Sequence, residues 1–187
     1  MKLRLLVTKQ CPRSCSGCCN KDWDLDALQP LRLDDVWFND DYDEWDEIII
    51  TGGEPLLYAD ELHGIVAELW EYFDTKFYLY TADAYGIIVD WRLMQWFDGI
   101  TLTLHDAKDV FEFSLLNDFL YIMHSRGKLK KNFSLRLNSF VKDELLEGEC
   151  LDMWEVRHEM EWKKDCPLPD GEVFMRLDPL IENSEDD

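Results

Sequence analysis

Short apolar runs alternate with helical patterns along almost the whole chain, and no other feature restricts the fold as strongly. Leu3–Val7 reads as a first strand and Glu47–Thr51 as a second, β-branched and bounded by Gly52-Gly53. Lys76–Thr81, Ile100–Leu104 and Phe133–Phe140 follow, the last two alternating polar with apolar residues as a strand with one polar face does. Between the strands, Asp60–Phe73 sets Leu62, Ile65, Val66, Leu69 and Phe73 at helical spacing. Gly86–Phe97 also reads as a helix. So does Val110–Arg126, with Val110, Phe113, Leu116, Leu120 and Met123 along one side and Gly127 as its stop. Trp154–Trp162 and Val173–Leu177 are further strand candidates. Such alternation implies βαβ units and a parallel sheet. The expected fold class is α/β: a partial, open β/α barrel of five to six mostly parallel strands with outer helices. An open doubly wound sheet is the competing architecture.

Size and charge narrow the function. With 187 residues and 47% apolar content, the chain can bury a sizeable core. The expected organisation is a single core domain over residues 1–181 with an acidic tail at 182–187. A formal net charge of −21 repels phosphate backbones and argues against a nucleic-acid-binding surface. Much of the acid lies in Asp34–Glu47, interleaved with Trp37, Phe38, Tyr42 and Trp45, and reads as a solvated face. No run of about eighteen apolar residues occurs, so no membrane-spanning helix is expected. Met1–Thr8 is too short and interrupted to serve as a signal-peptide core, which makes a cytoplasmic location the expectation.

Four of the six cysteines fall in the loop after the first strand, as Cys11, Cys15, Cys18 and Cys19. Without a secretory signal, clustered thiols point to metal or redox work rather than a disulfide scaffold. Thiolates suit iron–sulfur clusters, zinc or copper. A closed zinc site wants four ligands. Cys19 adjoins Cys18, and in an extended chain the two side chains diverge, which makes Cys19 an awkward fourth ligand. The C-x3-C-x2-C spacing favours three ligands and one open position. A four-iron cluster held this way leaves one iron for a small molecule. Cys150 and Cys166, remote from the loop and from each other, read as buried or incidental thiols; Cys19 reads either as a redox or radical participant or, the preferred reading, as a thiol packed beside the site.

A second motif, Thr51-Gly52-Gly53-Glu54-Pro55, ends the next strand. Its glycines permit close backbone approach to a ligand, Glu54 offers a carboxylate, and Pro55 stiffens the exit. Together the two motifs resemble the radical S-adenosylmethionine superfamily. The resemblance implies that Cys11, Cys15 and Cys18 hold a [4Fe–4S] cluster whose open iron chelates S-adenosyl-L-methionine. One electron then cleaves the sulfonium, and a 5′-deoxyadenosyl radical abstracts hydrogen from a peptide, protein or small-molecule substrate. It further implies that Gly52, Gly53 and Glu54 belong to the segment that cradles the methionine amino group, with Pro55 completing that cofactor-binding turn. Thr103 and His105, then Arg136 and Asn138, would offer polar side chains to ribose and carboxylate.

Gly17 departs from the aromatic residue that this superfamily often carries before the third cysteine. Cys15–Trp23 instead resembles activases of anaerobic ribonucleotide reductase, with Cys19 where those have an aromatic residue; that resemblance implies a partner-protein glycine as target. An external one-electron donor, flavodoxin- or ferredoxin-like, is also implied, with Lys9, Arg13 and Lys21 as candidate docking cations. From another class, the loop could serve a zinc-binding interaction module with a distant fourth ligand.

Overall fold

The apolar runs become parallel strands, several of them buried on both faces. The computed structural model describes residues 1–36, 45–163 and 166–182. Residues 37–44 of the acidic segment and 183–187 of the expected tail lie outside the described residues. Among the described residues, eight strands are ordered β2-β8-β1-β3-β4-β5-β6-β7 in one open, all-parallel sheet. They are β1 (Lys2–Thr8), β2 (Gln29–Leu31), β3 (Glu47–Gly52), β4 (Lys76–Thr81), β5 (Gly99–Leu104), β6 (Ser134–Ser139), β7 (Glu155–Arg157) and β8 (Glu172–Leu177). The open α/β expectation holds, but the strands outnumber the five to six expected. β7 falls inside the candidate Trp154–Trp162, of which only three residues form the strand; β2, also three residues, is too short to show a period, and Pro30 places it where a missing N–H is tolerated. The chain divides into two compact units, residues 1–77 with 163–187, and residues 78–162.

In the first unit β1 pairs with β3 on one side and β8 on the other, and β2 pairs with β8. Leu3, Leu5, Leu6 and Val7 of β1 and Ile48–Ile50 of β3 are buried, the continuous apolar pattern of parallel strands covered on both faces. Helix α1 (Leu33–Val36) is a single turn, and α2 (Ala59–Tyr72) buries Leu62, Val66 and Leu69, the stripe read from its spacing. Each such leucine contributes about 2 kcal/mol by leaving water. Arg4 on β1 forms a 2.6 Å ion pair with Glu172 at the start of β8.

In the second unit β5 pairs with β4 and β6, and β6 with β7. The helix expected over Gly86–Phe97 is split. α3 (Ala84–Val89) ends where Asp90 takes non-helical angles, and Trp91–Trp96 winds as a 3-10 helix. The β-branched run Ile87-Ile88-Val89 loses side-chain freedom in a helix, which weakens its continuation. α4 (Ala107–Ser125) begins with a capping box between Asp106 and Asp109 and buries Phe113, Leu116 and Leu120. Buried Asn117 on α4 donates to Cys150 O at 2.9 Å and accepts from the Trp154 indole at 3.0 Å. That pair of bonds anchors the segment leading to β7.

Candidate metal centre

Cys11, Cys15 and Cys18 lie on the loop leaving the carboxyl end of β1, and Gly52–Pro55 is the turn leaving β3, the neighbouring strand. Carboxyl ends of parallel strands are where this class of sheet places ligands. Backbone bonds fasten the two segments: Gly53 N donates to Thr8 O at 2.7 Å and Glu54 N to Gln10 O at 2.8 Å. Buried Thr8 adds a turn of its own, its hydroxyl accepting from Gln10 N at 3.1 Å. A Cβ on Gly52 would sit 2.4 Å from Thr8 O, and one on Gly53 would sit 1.9 Å from Gln10 O. The glycines therefore admit the strand exit that feeds the cysteine loop. Among the chain's own atoms, the glycines' close approach is to the backbone of Thr8 and Gln10.

The loop is braced from within. Cys18 N donates to Cys15 O at 3.4 Å, Lys21 N donates to Cys18 O at 3.0 Å, and the Lys21 ammonium reaches Cys15 O at 2.5 Å. Asn20 Nδ2 crosses to Gly52 O at 2.7 Å. Lys9 pairs with Asp26 at 2.7 Å. Two of the cations considered for donor docking, Lys9 and Lys21, thus hold the loop together. Cys11 is exposed, and Cys15 and Cys18 are half-buried. Among the described residues, no three His, Cys, Asp or Glu side chains converge on one point as ligands of a single metal ion. Ligands of a four-iron cluster each take a different iron, so the loop need not converge in that way.

A family model described as a 4Fe-4S single cluster domain matches residues 2–101. The chain belongs to this 4Fe-4S family. No curated protein matches it. The matched stretch contains the cysteine loop and the Gly-Gly-Glu-Pro turn, and the soft three-thiol donor set fits an iron–sulfur cluster.

Within this 4Fe-4S domain, Glu54 is 2% exposed, and its Oε1 accepts from Leu56 N at 3.2 Å as the cap of the 3-10 turn Pro55–Tyr58. Its charge is felt at the cysteine loop. Partial desolvation, the Glu54 carboxylate, Cys15 and Cys18 push the Cys11 thiol above its ordinary range, against a lowering hydrogen bond with the Arg13 backbone.

The disulfide corrects the reading of the remaining loop cysteine. Cys19 is bonded to Cys166, 147 residues on, with a Cα–Cα distance of 5.4 Å. Cys166 is therefore not an incidental thiol, and Cys19 does more than pack beside the site. No local pattern could reveal a partner so distant.

The other predicted residues belong to the second unit. Thr103 and Asn138 are register partners on β5 and β6, both half-buried. Arg136 stacks its guanidinium over Tyr78, 4.4 Å from the ring centre, and lies 3.9 Å from Glu155. His105 follows the last residue of β5, at the strand's carboxyl end. Its backbone N donates to buried Asp109 at 2.7 Å, and its ring lies nearly parallel to Phe140 and Trp162 at 5.8 and 5.4 Å. Sequence reasoning missed Asp109, although the Asp106–Asp109 spacing is a capping-box signal. Phe140 and Trp162 gave no comparable signal.

Proposed function

We propose that the chain is a radical S-adenosylmethionine enzyme. The observation that carries this reading is the fastening of the three-cysteine loop to the Gly-Gly-Glu-Pro turn on adjacent strands of the 4Fe-4S domain. Cys11, Cys15 and Cys18 would hold the cluster, which when bound would supply the one-electron chemistry of reductive S-adenosylmethionine cleavage. Glu54, a buried carboxylate whose charge reaches Cys11, is the acidic group this reading assigns to the cofactor's ammonium group. Backbone fastening at Thr8, Gln10, Gly53 and Glu54 fixes the turn against the loop and orients that carboxylate before any ligand arrives. The substrate class is a hydrogen donor: a peptide, a protein or a small molecule.

Anaerobic reconstitution tests the reading. About four irons per chain and release of 5′-deoxyadenosine on reduction support it. Loss of iron in Cys11→Ala, Cys15→Ala and Cys18→Ala, with retention in Cys150→Ala, assigns the ligands. Bound cofactor without 5′-deoxyadenosine would leave a cluster protein lacking this chemistry. Stoichiometric zinc without cleavage would favour the interaction module instead.

A further inference from the structure

We propose that Cys19 and Cys166 form a redox-active pair, a thiol–disulfide exchange site for an external dithiol whose state governs how firmly the cysteine loop is held. The coupling half of this inference rests on the ligand assignment above, because Cys19 shares a peptide bond with Cys18. The exchange half does not.

Position makes this bond more than a staple. The 3-10 turn Cys19–Lys21 begins at Cys19, and Lys21 braces both Cys15 O and Cys18 O. A displacement of Cys19 is therefore passed to the ligand loop through this turn. The disulfide ties the loop to the segment entering β8, and the Trp23 indole reinforces it by donating to Cys166 O at 3.2 Å. Trp23 also meets Phe174 on β8 edge-to-face at 5.3 Å. Reduction removes the covalent tie and leaves only these weaker ones.

Access is provided as well. Cys19 and Cys166 are both half-buried and line a cavity of about 60 Å³ with Asn20, Trp23, Pro167 and Phe174. Exchange requires that an attacking thiolate reach a sulfur of the pair. Cys166 also sits at φ +33, a left-handed conformation that a residue with a Cβ adopts at a cost. Freed of the tie, that residue can relax, which favours the open dithiol. Thiolate ligands one residue away require reducing surroundings, so the pair is challenged under the same conditions that let the cluster assemble.

The exchange balances. One thiolate of the external dithiol attacks a sulfur of the pair, forming a mixed disulfide and releasing the other protein thiolate, which takes up a proton. The second thiol of the reagent then attacks the mixed disulfide, freeing the remaining protein thiol. Two electrons and two protons pass to the protein, and the reagent leaves as its own disulfide.

The test uses the full chain without denaturant. Differential alkylation read by mass spectrometry should find Cys19 and Cys166 blocked before dithiothreitol and labelled after it, with circular dichroism unchanged. Labelling from the outset, or only after unfolding, would overturn the exchange site. Iron extraction by a chelator from reconstituted protein then tests the coupling. Dithiol-reduced wild type should lose iron several-fold faster than oxidised wild type. Cys166→Ser should match the reduced protein without any reductant, and Cys150→Ser should match the oxidised one. Equal rates in oxidised and reduced wild type would overturn the coupling, and that comparison needs no variant to fold. Failure of every form to bind iron would instead overturn the ligand assignment and the coupling with it, while alkylation still decides the exchange.

Discussion

Asn20 Nδ2 donates a 2.7 Å hydrogen bond to the carbonyl oxygen of Gly52, joining the cysteine loop to the turn after β3 across 32 residues. The bond is side chain to backbone and part-buried, so its loss leaves an acceptor incompletely satisfied. Asn20→Ala should cost about 1 kcal/mol in denaturant unfolding of the apoprotein. It should also lower iron content after reconstitution, since the loop loses its tie to the turn. Unchanged stability and iron content would remove Asn20 from the support of the site.

Two glycine substitutions should have opposite signs. In Gly53→Ala the new methyl would overlap Gln10 O, which is backbone and cannot step aside. Destabilisation of roughly 3 kcal/mol is expected, with poor recovery of folded protein. Gly64 lies within α2, and a methyl there meets nothing within 4 Å. Gly64→Ala should raise stability by about 0.5–1 kcal/mol through helix propensity. Thermal unfolding of both variants checks the pair.

The Cys11 thiol is pushed up, first by desolvation and then by the negative groups around it, Glu54 among them. Its alkylation in the apoprotein should therefore rise through a pH range above the ordinary thiol value of about 8.5. Glu54→Gln should shift that profile to lower pH while retaining an oxygen to cap Leu56 N. The native state binds this proton more tightly than the unfolded chain does. Its contribution to apoprotein stability is thus full below the unfolded value and lost as pH rises through the folded one. A profile unmoved by Glu54→Gln would show that the carboxylate does not act on Cys11.

Asp178 lies between Arg32 at 2.7 Å and Arg176 at 3.1 Å, and its hydrogen bonds to Arg32 first and Arg176 second hold its carboxyl below the usual range. A lowered folded value gives stability that is present above the unfolded value of about 3.9 and is lost as pH falls through the folded one. Asp178→Asn should flatten that part of the acid-unfolding curve and leave stability near pH 9 to change only by the lost pairing. Parallel acid titrations of the two proteins, followed by fluorescence, test this.

Local signals reached much of the site. The spacing of Cys11, Cys15 and Cys18 and the run Gly52–Pro55 are contiguous motifs, so they could be read without knowing what surrounds them. Their adjacency could be inferred only from the strand–loop order. The need for small residues was read from their type alone, and the structure adds a local reason for it: Gln10 O leaves no room for a Cβ at Gly53. Likewise Lys9 and Lys21 looked like surface cations until their partners, Asp26 and Cys15 O, were in place.

By itself the sequence determined the succession of the longer strands and helices, because apolar period is a local property that burial on a sheet or helix face imposes. It also determined the soft three-thiol loop and the acidic turn that follows one strand later. Only the tertiary structure decided that β8, the last strand, enters between β1 and β2. The same decision brought Cys166 to Cys19 and a second tie, through Trp23, to the cysteine loop. Such pairings join residues more than a hundred positions apart. Their free energy comes from close packing of distant segments, which no local spacing encodes.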